Sequence, residues 1–277
     1  MARRDLSLEV DGFEFDGLDW PGDGTPVLCL HGFPQRATSW AGAADRLAAR
    51  GIRVVAVDQR GYSPGARPTS VEDYALPHLV ADVVAMIGSL GGSVHLVGHD
   101  WGGVVGWQVA ARHPELVRSW TAVSTPHQLA LNDVLARDEA QRQRFGYIVA
   151  FRERGEELLL GGDAAGLRSM YGGFVAPQRV ADDVAFFQQP GALTAALSWY
   201  RAMSLTDAAG LTNVTVPTAY VWGSADPAFG AEAAELTARF VDGPYRFVPL
   251  EGAGHWLPDE VPDTLADVIT EQVAAGG

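Results

Sequence analysis

The sequence predicts an α/β fold, in which helices cover both faces of a mostly parallel sheet. The first observation is that short runs rich in Val and Leu recur along the chain and alternate with stretches of helical pattern. Those runs are apolar at consecutive positions, as strands covered on both faces must be. The second observation is size, because 277 residues with 47% hydrophobic content can enclose one large core. One domain carrying an insertion accounts for both.

The predicted strands begin with a hairpin and continue as strands of a parallel sheet. LSLEV and FEF flank Asp11 and Gly12, which are typical of a two-residue turn. The later runs are VLCL (27–30), VVAV (54–57), VHLVG (94–98), WTAV (120–123), AYVWG (219–223) and FVPL (247–250). Sites in such sheets lie beyond the carboxyl ends of the strands. We therefore look for chemistry in the residues that follow these runs.

Residues 127–212 interrupt this alternation, because their pattern is helical and contains no strand. Pro126 and Pro217 flank the segment, and paired glycines at 161–162 and 172–173 divide it into several short helices. We predict that it is a helical lid inserted between two parts of an α/β core, residues 1–126 and 213–277. The name lid segment is used below for residues 127–212.

Composition excludes several classes of function. The formal net charge is −14, and no basic run could neutralise nucleic acid or an anionic membrane. All 20 basic residues are arginine, so no lysine is present for Schiff-base chemistry or a phosphate loop. The single cysteine, Cys29, excludes an internal disulfide and is interpreted as a small apolar strand residue. Without a signal-peptide pattern or membrane-length run, we expect a cytoplasmic monomer or homodimer that binds neither nucleic acid nor membrane.

Two stretches match the pattern Gly-x-nucleophile-x-Gly: GYSPG at 61–65 and GHDWG at 98–102. The pattern places a nucleophile on a sharp strand-to-helix turn, and the residue after it donates a backbone N–H to an oxyanion. In GYSPG that residue is Pro64, which has no N–H, and the segment continues into residues that cannot begin a helix. We therefore predict that Ser63 is a loop residue and that Asp100 is the nucleophile.

The partners of this nucleophile follow in the order that the chemistry requires. Asp226 comes after AYVWG and His255 after FVPL, which gives the order nucleophile, acid, base. The other acid position, after the preceding strand, holds Ser124 and Thr125 instead. An aspartate at the start of a helix often has the purely structural role of an N-cap. Here the presence of Asp226 and His255 in the required order favours a catalytic role instead. We expect no metal and no cofactor.

HGFP, residues 31–34, completes the predicted site at the end of VLCL. The backbone N–H groups of Phe33 and Trp101 form the predicted oxyanion hole, where each donor contributes about 3 kcal/mol. Pro34 fixes the turn, and a cis bond would suit it. An ordinary tight turn after a strand is the alternative.

An aspartate nucleophile suits attack on a saturated carbon. With an ordinary pKa of about 3.9 it is ionised at neutral pH without a base. On an acyl carbon it would form an anhydride, but on an alkyl carbon it forms an ester. His255, oriented by Asp226, would then activate water to hydrolyse that ester. The predicted substrate is a strained cyclic ether or an alkyl halide.

HGFP, DQRGYSPGARP, GHDWGG, Asp226 and GAGHW together resemble the α/β-hydrolase-fold epoxide hydrolases over nearly the whole chain. The resemblance implies an α/β-hydrolase fold with a lid, and hydrolysis of an apolar epoxide to a diol without a cofactor. Ring opening releases an alkoxide, which needs an acid within reach. The family uses two lid tyrosines, and SWYR (198–201) matches one of them, Tyr200.

The second tyrosine is less sharply marked. GYIVAFRERGEE (146–157) resembles the stretch that carries it and gives Tyr147, although Arg-Glu-Arg-Gly replaces the usual Gln-Glu-Pro-Gly. Tyr171 is the alternative.

Two other functions remain open. A haloalkane dehalogenase would use the same triad, although that family commonly has Asn where this chain has Phe33. A ligand-binding protein that keeps the fold without catalysis is the second.

For the pocket we predict a lining of Phe33, Trp101, Trp256 and either Phe186 or Phe187.

Overall fold

One mixed sheet lies at the centre of the molecule. The computed structural model describes residues 3–204 and 207–277, and within them eight strands form the sheet: β1 (Arg4–Val10), β2 (Phe13–Trp20), β3 (Asp23–Leu30), β4 (Ile52–Val57), β5 (Val94–His99), β6 (Val117–Val123), β7 (Thr218–Gly223) and β8 (Tyr245–Leu250). Their order is β1-β2-β4-β3-β5-β6-β7-β8. β2 pairs antiparallel with β1 and β4, and the other neighbours are parallel. The predicted fold class and the predicted strands are confirmed.

Helices cover both faces of this sheet. Those of the core are α1 (Ala41–Ala49), α2 (Leu76–Ser89), α3 (Trp101–Arg112), α9 (Ala231–Leu236), α10 (Leu257–Glu260) and α11 (Pro262–Ala275). Successive residues of β3 belong to opposite faces: Leu28 and Leu30 pack in one apolar cluster with α2 and α3, and Val27 and Cys29 in another with α1 and α11. Alternation along a strand therefore builds two apolar layers, one on each face.

The lid segment lies between β6 and β7, and its described residues form five helices: α4 (Gln128–Arg137), α5 (Glu139–Arg144), α6 (Gly146–Met170), α7 (Pro177–Phe187) and α8 (Ala192–Ala202). The backbone of α6 leaves helical geometry between Gly161 and Ala164, at one of the glycine pairs. Residues of α6, α7 and α8 share an apolar cluster with Phe33 and Trp101. The helices therefore pack over the carboxyl ends of the strands.

Two features of the sequence find a structural place in the core. Cys29 is fully buried in β3, and burial raises the pKa of its thiol, so it is an apolar core residue. Ser63 is buried as well; its hydroxyl donates to the carbonyl oxygen of Asp58 at 2.5 Å and accepts the N–H of Asp16 at 2.9 Å. Both hydroxyl functions are thus used within the loop. Across residues 3–204 and 207–277, no helix has the length and apolarity needed to cross a membrane.

Candidate active site

Asp100 occupies a sharp turn between β5 and α3. Its backbone has φ 51° and ψ −118°, a conformation that non-glycine residues rarely adopt and that structures retain mainly at functional sites. Close backbone contacts force this turn. A Cβ on Gly98 would lie 2.3 Å from the carbonyl oxygen of Gly102, and one on Gly102 would lie 2.3 Å from that of Leu30. Glycine at both positions is therefore required for the strand and the helix to approach this closely.

The turn brings Asp100 to the predicted base and acid. His255 Nε2 lies 3.6 Å from Asp100 Oδ2, and His255 Nδ1 lies 2.8 Å from Asp226 Oδ2. The other carboxylate oxygen of Asp226 accepts the backbone N–H groups of Ala228 and Phe229, at 2.7 and 3.1 Å. Asp226 is thereby fixed, and through its bond to Nδ1 it aims Nε2 at Asp100.

Backbone N–H groups also lie beside the carboxyl group of Asp100. Phe33 N donates to Asp100 Oδ1 at 2.9 Å, and the backbone N–H of Trp101 also hydrogen-bonds to this carboxyl group. A Cβ on Gly32 would lie 2.3 Å from Asp100 Cβ, so the turn 31–34 can approach only because residue 32 is glycine. The Phe33–Pro34 peptide is cis. The Phe33 N–H thus faces Oδ1 and the Trp101 N–H lies beside the same carboxyl group, an arrangement suited to an oxyanion hole.

Two carboxylates determine the protonation of His255. Burial by itself would lower the pKa of this imidazole, but Asp226 and Asp100 outweigh it and raise the pKa to about 10. Burial would raise the pKa of Asp100, yet hydrogen bonding and charge from His255 prevail and lower it. At neutral pH the site therefore holds an imidazolium between two carboxylates.

Tyr147 of α6 and Tyr200 of α8 lie across the cavity from the sheet. Their ring centroids are 6.3 Å apart, and the Tyr200 ring is 5.5 Å from that of Phe33 and 5.2 Å from that of Trp101. Burial and the nearby Asp100 raise the pKa of both phenols, with hydrogen bonding from Trp101 working against this at Tyr200. Both tyrosines therefore remain protonated donors at neutral pH.

Two of the cavities in the described part of the chain meet at Asp100, Tyr147 and Tyr200. We call them arm A and arm B. Arm A has about 410 Å³ and an apolar lining that includes Trp101, Leu131, Leu135, Phe145, Ile148 and Phe229. Arm B has about 370 Å³ and a lining that includes Phe33, Phe151, Leu158, Leu159, Met170 and Trp256. Phe33 and Trp256 thus line arm B, and Trp101 lines arm A.

Phe186 and Tyr171 lie outside both arms. For Phe186 this position corrects the prediction that it lines the pocket. Phe186 lines neither arm; its ring packs under the guanidinium groups of Arg36 and Arg67, at 4.3 and 5.3 Å from the ring centroid. The chain turns its neighbour Phe187 inward instead, 5.6 Å from the Phe33 ring. Tyr171 lines neither arm, and its hydroxyl lies 2.8 Å from Asp183 Oδ2 and 3.3 Å from the carbonyl oxygen of Pro34. Its position favours Tyr147 as the second acid.

His99 and Ser124 hold the backbone of His255, a contact that sequence reasoning missed. His99 Nε2 and Ser124 Oγ each donate to the backbone carbonyl of His255 at 2.8 Å. Burial and the neighbouring His255 lower the pKa of His99 to about 3, so it stays neutral beside the imidazolium. In the sequence, the one indication of this contact is that His99 directly precedes Asp100. Among the described residues no group of three His, Cys, Asp or Glu side chains is placed to hold a metal ion.

Comparison with known proteins agrees with this geometry. A family model described as the alpha/beta hydrolase fold matches residues 25–262. Epoxide hydrolase A of Mycobacterium tuberculosis is 32% identical to this chain over 95% of each protein. The chain belongs to the α/β-hydrolase-fold epoxide hydrolase family. Epoxide hydrolase 4 of Mus musculus, another member, is 32% identical over 95% of this chain and 77% of its own length.

Solved structures of the family share the whole fold. Epoxide hydrolase A from Mycobacterium thermoresistibile gives a TM-score of 0.86 at 27% identity, with 99% of this chain and 98% of that chain covered. The Bacillus megaterium epoxide hydrolase, solved with an inhibitor, gives 0.87 at 25% identity, with 97% and 100% covered. The resemblance predicted from the motifs is confirmed.

Proposed function

We propose that this protein hydrolyses an epoxide to a vicinal diol through a covalent ester on Asp100, with residues 127–212 as the lid over the site. The observation that carries the proposal is that Asp100, Tyr147 and Tyr200 line the same two cavity arms, with His255 Nε2 3.6 Å from Asp100. A nucleophile, two acids and a base thus converge on one apolar volume. The names and structures of the relatives support the same activity.

In the first step Asp100 Oδ2 attacks one ring carbon, and the bond from that carbon to the ring oxygen breaks. The ring oxygen takes a proton from Tyr147 or Tyr200, which face it from the lid segment. The conjugate acid of a free alkoxide is about as weak as water, at a pKa of roughly 15.7. Proton donation during bond breaking avoids this species, and a positioned acid contributes about 10²–10⁴ in rate.

Formation of the ester changes the base. With Asp100 esterified, one of the two charges that raise the pKa of His255 is gone, so the imidazolium returns a proton to the phenolate that ring opening left on the lid tyrosine, and Nε2 can then accept one from water. The hydroxide so formed attacks Cγ of Asp100, and the N–H groups of Phe33 and Trp101 stabilise the oxyanion on Oδ1. The bond between Cγ and Oδ2 then breaks, the departing Oδ2 takes the proton that His255 accepted from water, and the carboxylic acid left on Asp100 returns a proton to His255. One water is consumed for each epoxide.

The dehalogenase alternative is less well supported by the same geometry. A halide site in that family commonly includes Asn, but this chain has Phe33 at that position, which offers no side-chain donor. Two phenols facing the nucleophile serve ring opening and have no task in halide release. Diol formed from aryl and alkyl epoxides, without bromide from matched alkyl bromides, would agree with the proposal. Bromide without diol would overturn it in favour of a dehalogenase, and neither product would favour a binding protein.

Isotope labelling tests the covalent step. In a single turnover in water labelled with heavy oxygen, with enzyme in excess, the diol takes its new oxygen from unlabelled Asp100 and the label enters the protein. Label that arrives directly in the diol would contradict the ester. Asp100→Asn abolishes turnover unless the amide hydrolyses, whereas Asp133→Asn, on an exposed turn of α4, serves as the matched control.

A further inference from the structure

Helix α5 of the lid segment holds the loop that carries Asp226. We call this loop, residues 226–230, the acid loop; it lies between β7 and α9. Gln141 Nε2 donates to the carbonyl oxygen of Ala228 at 2.7 Å, and Gln141 Oε1 accepts the N–H of Gly230 at 2.9 Å. A primary amide is both donor and acceptor, so one side chain of the lid segment holds the backbone of the acid loop at two points.

Arg144 of the same helix contacts the acid loop at two further points. Its Nη1 donates to the carbonyl oxygens of Asp226 and Pro227, both at 3.0 Å. From the core, Trp222 Nε1 donates to the carbonyl oxygen of Phe229 at 3.0 Å. The position of the acid loop therefore depends on the lid segment as well as on the sheet.

The backbone of the acid loop determines where the Asp226 carboxylate points. Oδ1 of Asp226 accepts the N–H groups of Ala228 and Phe229, and Oδ2 lies 2.8 Å from His255 Nδ1. Because both oxygens belong to one rigid carboxylate, a displacement of Ala228 turns Oδ2 away from the imidazole. Consecutive hydrogen bonds thus connect Gln141 to His255 through Ala228 and Asp226.

These contacts account for the burial of Gln141. Its side chain is buried, with 1% relative exposure for the residue, whereas Arg142 and Gln143, the next residues of α5, are exposed. Burying an amide costs free energy unless its polar atoms are hydrogen-bonded, and both polar atoms of Gln141 are bonded to the acid loop. A hydrocarbon side chain would fill the same space but would remove these bonds from the loop.

The two steps of the proposed reaction use the acid loop differently. Attack of Asp100 on the ring carbon requires no proton transfer by His255. Hydrolysis of the ester requires Nε2 to accept a proton from water, so it depends on the orientation that Asp226 gives to the imidazole. We propose that Gln141 is a positioning residue for ester hydrolysis, which holds the acid loop so that Asp226 orients His255. This inference rests on the proposed function and adds a residue of the lid segment to the support of the base.

The variant Gln141→Met tests this assignment, because methionine keeps the length of the side chain and removes both hydrogen bonds. Single turnovers of an aryl epoxide, styrene oxide, with enzyme in excess are quenched in acid at successive times, and the mass of the intact protein gives the fraction of ester. We expect the decay of the ester to slow about tenfold, because the base is misaligned, and its formation to keep the wild-type rate. Once decay limits turnover, kcat and KM fall by the same factor and kcat/KM is unchanged.

Gln143→Met, at an exposed glutamine of the same helix, is the matched control and leaves both rates unchanged. Equal slowing of formation and decay in Gln141→Met would show that Gln141 supports the lid segment as a whole. An unchanged decay would show that the acid loop does not need Gln141. Either result overturns the inference.

A second variant makes the test if Gln141→Met does not fold. Arg144→Met removes the two bonds that Arg144 donates to the acid loop, from a residue that is exposed. We expect it to slow the decay of the ester about threefold and leave its formation unchanged; equal effects on both steps, or none, would overturn the inference. A wild-type protein that hydrolyses no epoxide rejects the proposed function, whereas variants that hydrolyse epoxides without selective slowing of decay reject this inference alone.

Discussion

The two halves of the candidate site are held by different kinds of interaction. On the sheet side, Asp100, Asp226 and the oxyanion donors are fixed by backbone hydrogen bonds of 2.7–3.1 Å and by glycine contacts that admit no Cβ. On the lid side, Tyr147 and Tyr200 are held by aromatic packing at centroid distances of 5.1–6.4 Å. Hydrogen bonds are directional and packing is not. The sheet side is thus held to one geometry, and the packing on the lid side constrains the orientation of its side chains less.

The largest expected effect comes from breaking the sheet side at its base. His255→Gln removes the group that activates water but leaves Asp100 free to attack, so kcat falls about 10³–10⁴-fold while the ester forms. Mass spectrometry of the intact protein would show the mass of one substrate added and retained. His113→Gln, a half-exposed histidine beside Glu115, is the control. An inactive His255→Gln protein that never gains mass would mean that His255 acts before the ester.

A smaller effect is expected from the lid side. Tyr147→Phe and Tyr200→Phe each slow ring opening about 10–100-fold, and the double variant about 10³-fold or more, because either phenol can protonate the oxygen. These variants gain no mass, since the first step is the one that fails. Tyr171→Phe, outside both arms, keeps its rate of ring opening. If Tyr171→Phe slowed that step as much as Tyr147→Phe, the assignment of the second acid would be wrong.

The smallest effect is expected where α7 contacts the sheet side. There Asp183 accepts a hydrogen bond from the Tyr171 hydroxyl, and its Oδ1 lies 3.5 Å from Arg36 Nε. Burial raises the pKa of Asp183 to about 6 against the pull of Arg36 and Tyr171. Because the pKa of Asp183 is higher in the folded state than in the unfolded state, this group stabilises the folded state below about pH 4. The contribution is lost as the pH rises through 6. Relative to Asp183→Asn, the wild type should therefore lose on the order of 1–3 kcal/mol of unfolding free energy between pH 4 and pH 7.

Urea unfolding at the two pH values measures this difference. Asp182→Asn, on the exposed side of the same helix, controls for changes in overall charge. A difference between wild type and Asp183→Asn that does not vary with pH would show that Arg36 keeps Asp183 ionised throughout.

The sequence by itself determined the fold class and where chemistry is to be sought. Apolar runs predict strands directly, and in a parallel sheet the residues after adjacent strands come together, so Asp100, Asp226 and His255 could be named from their place after three runs. Glycine spacing around Asp100 pointed to the sharp turn for the same local reason. Their catalytic roles remain predictions until the variants are measured.

The tertiary structure alone decided what faces the nucleophile. Helical periodicity shows that a segment is a helix but not which partner its apolar face meets, because that depends on packing between residues far apart in sequence. It therefore could not distinguish Phe186 from Phe187, or Tyr147 from Tyr171. The hydrogen bond from His99 of β5 to the carbonyl of His255 likewise joins residues far apart in sequence. The two arms exist only once α4, α5, α6 and α8 are packed over the sheet.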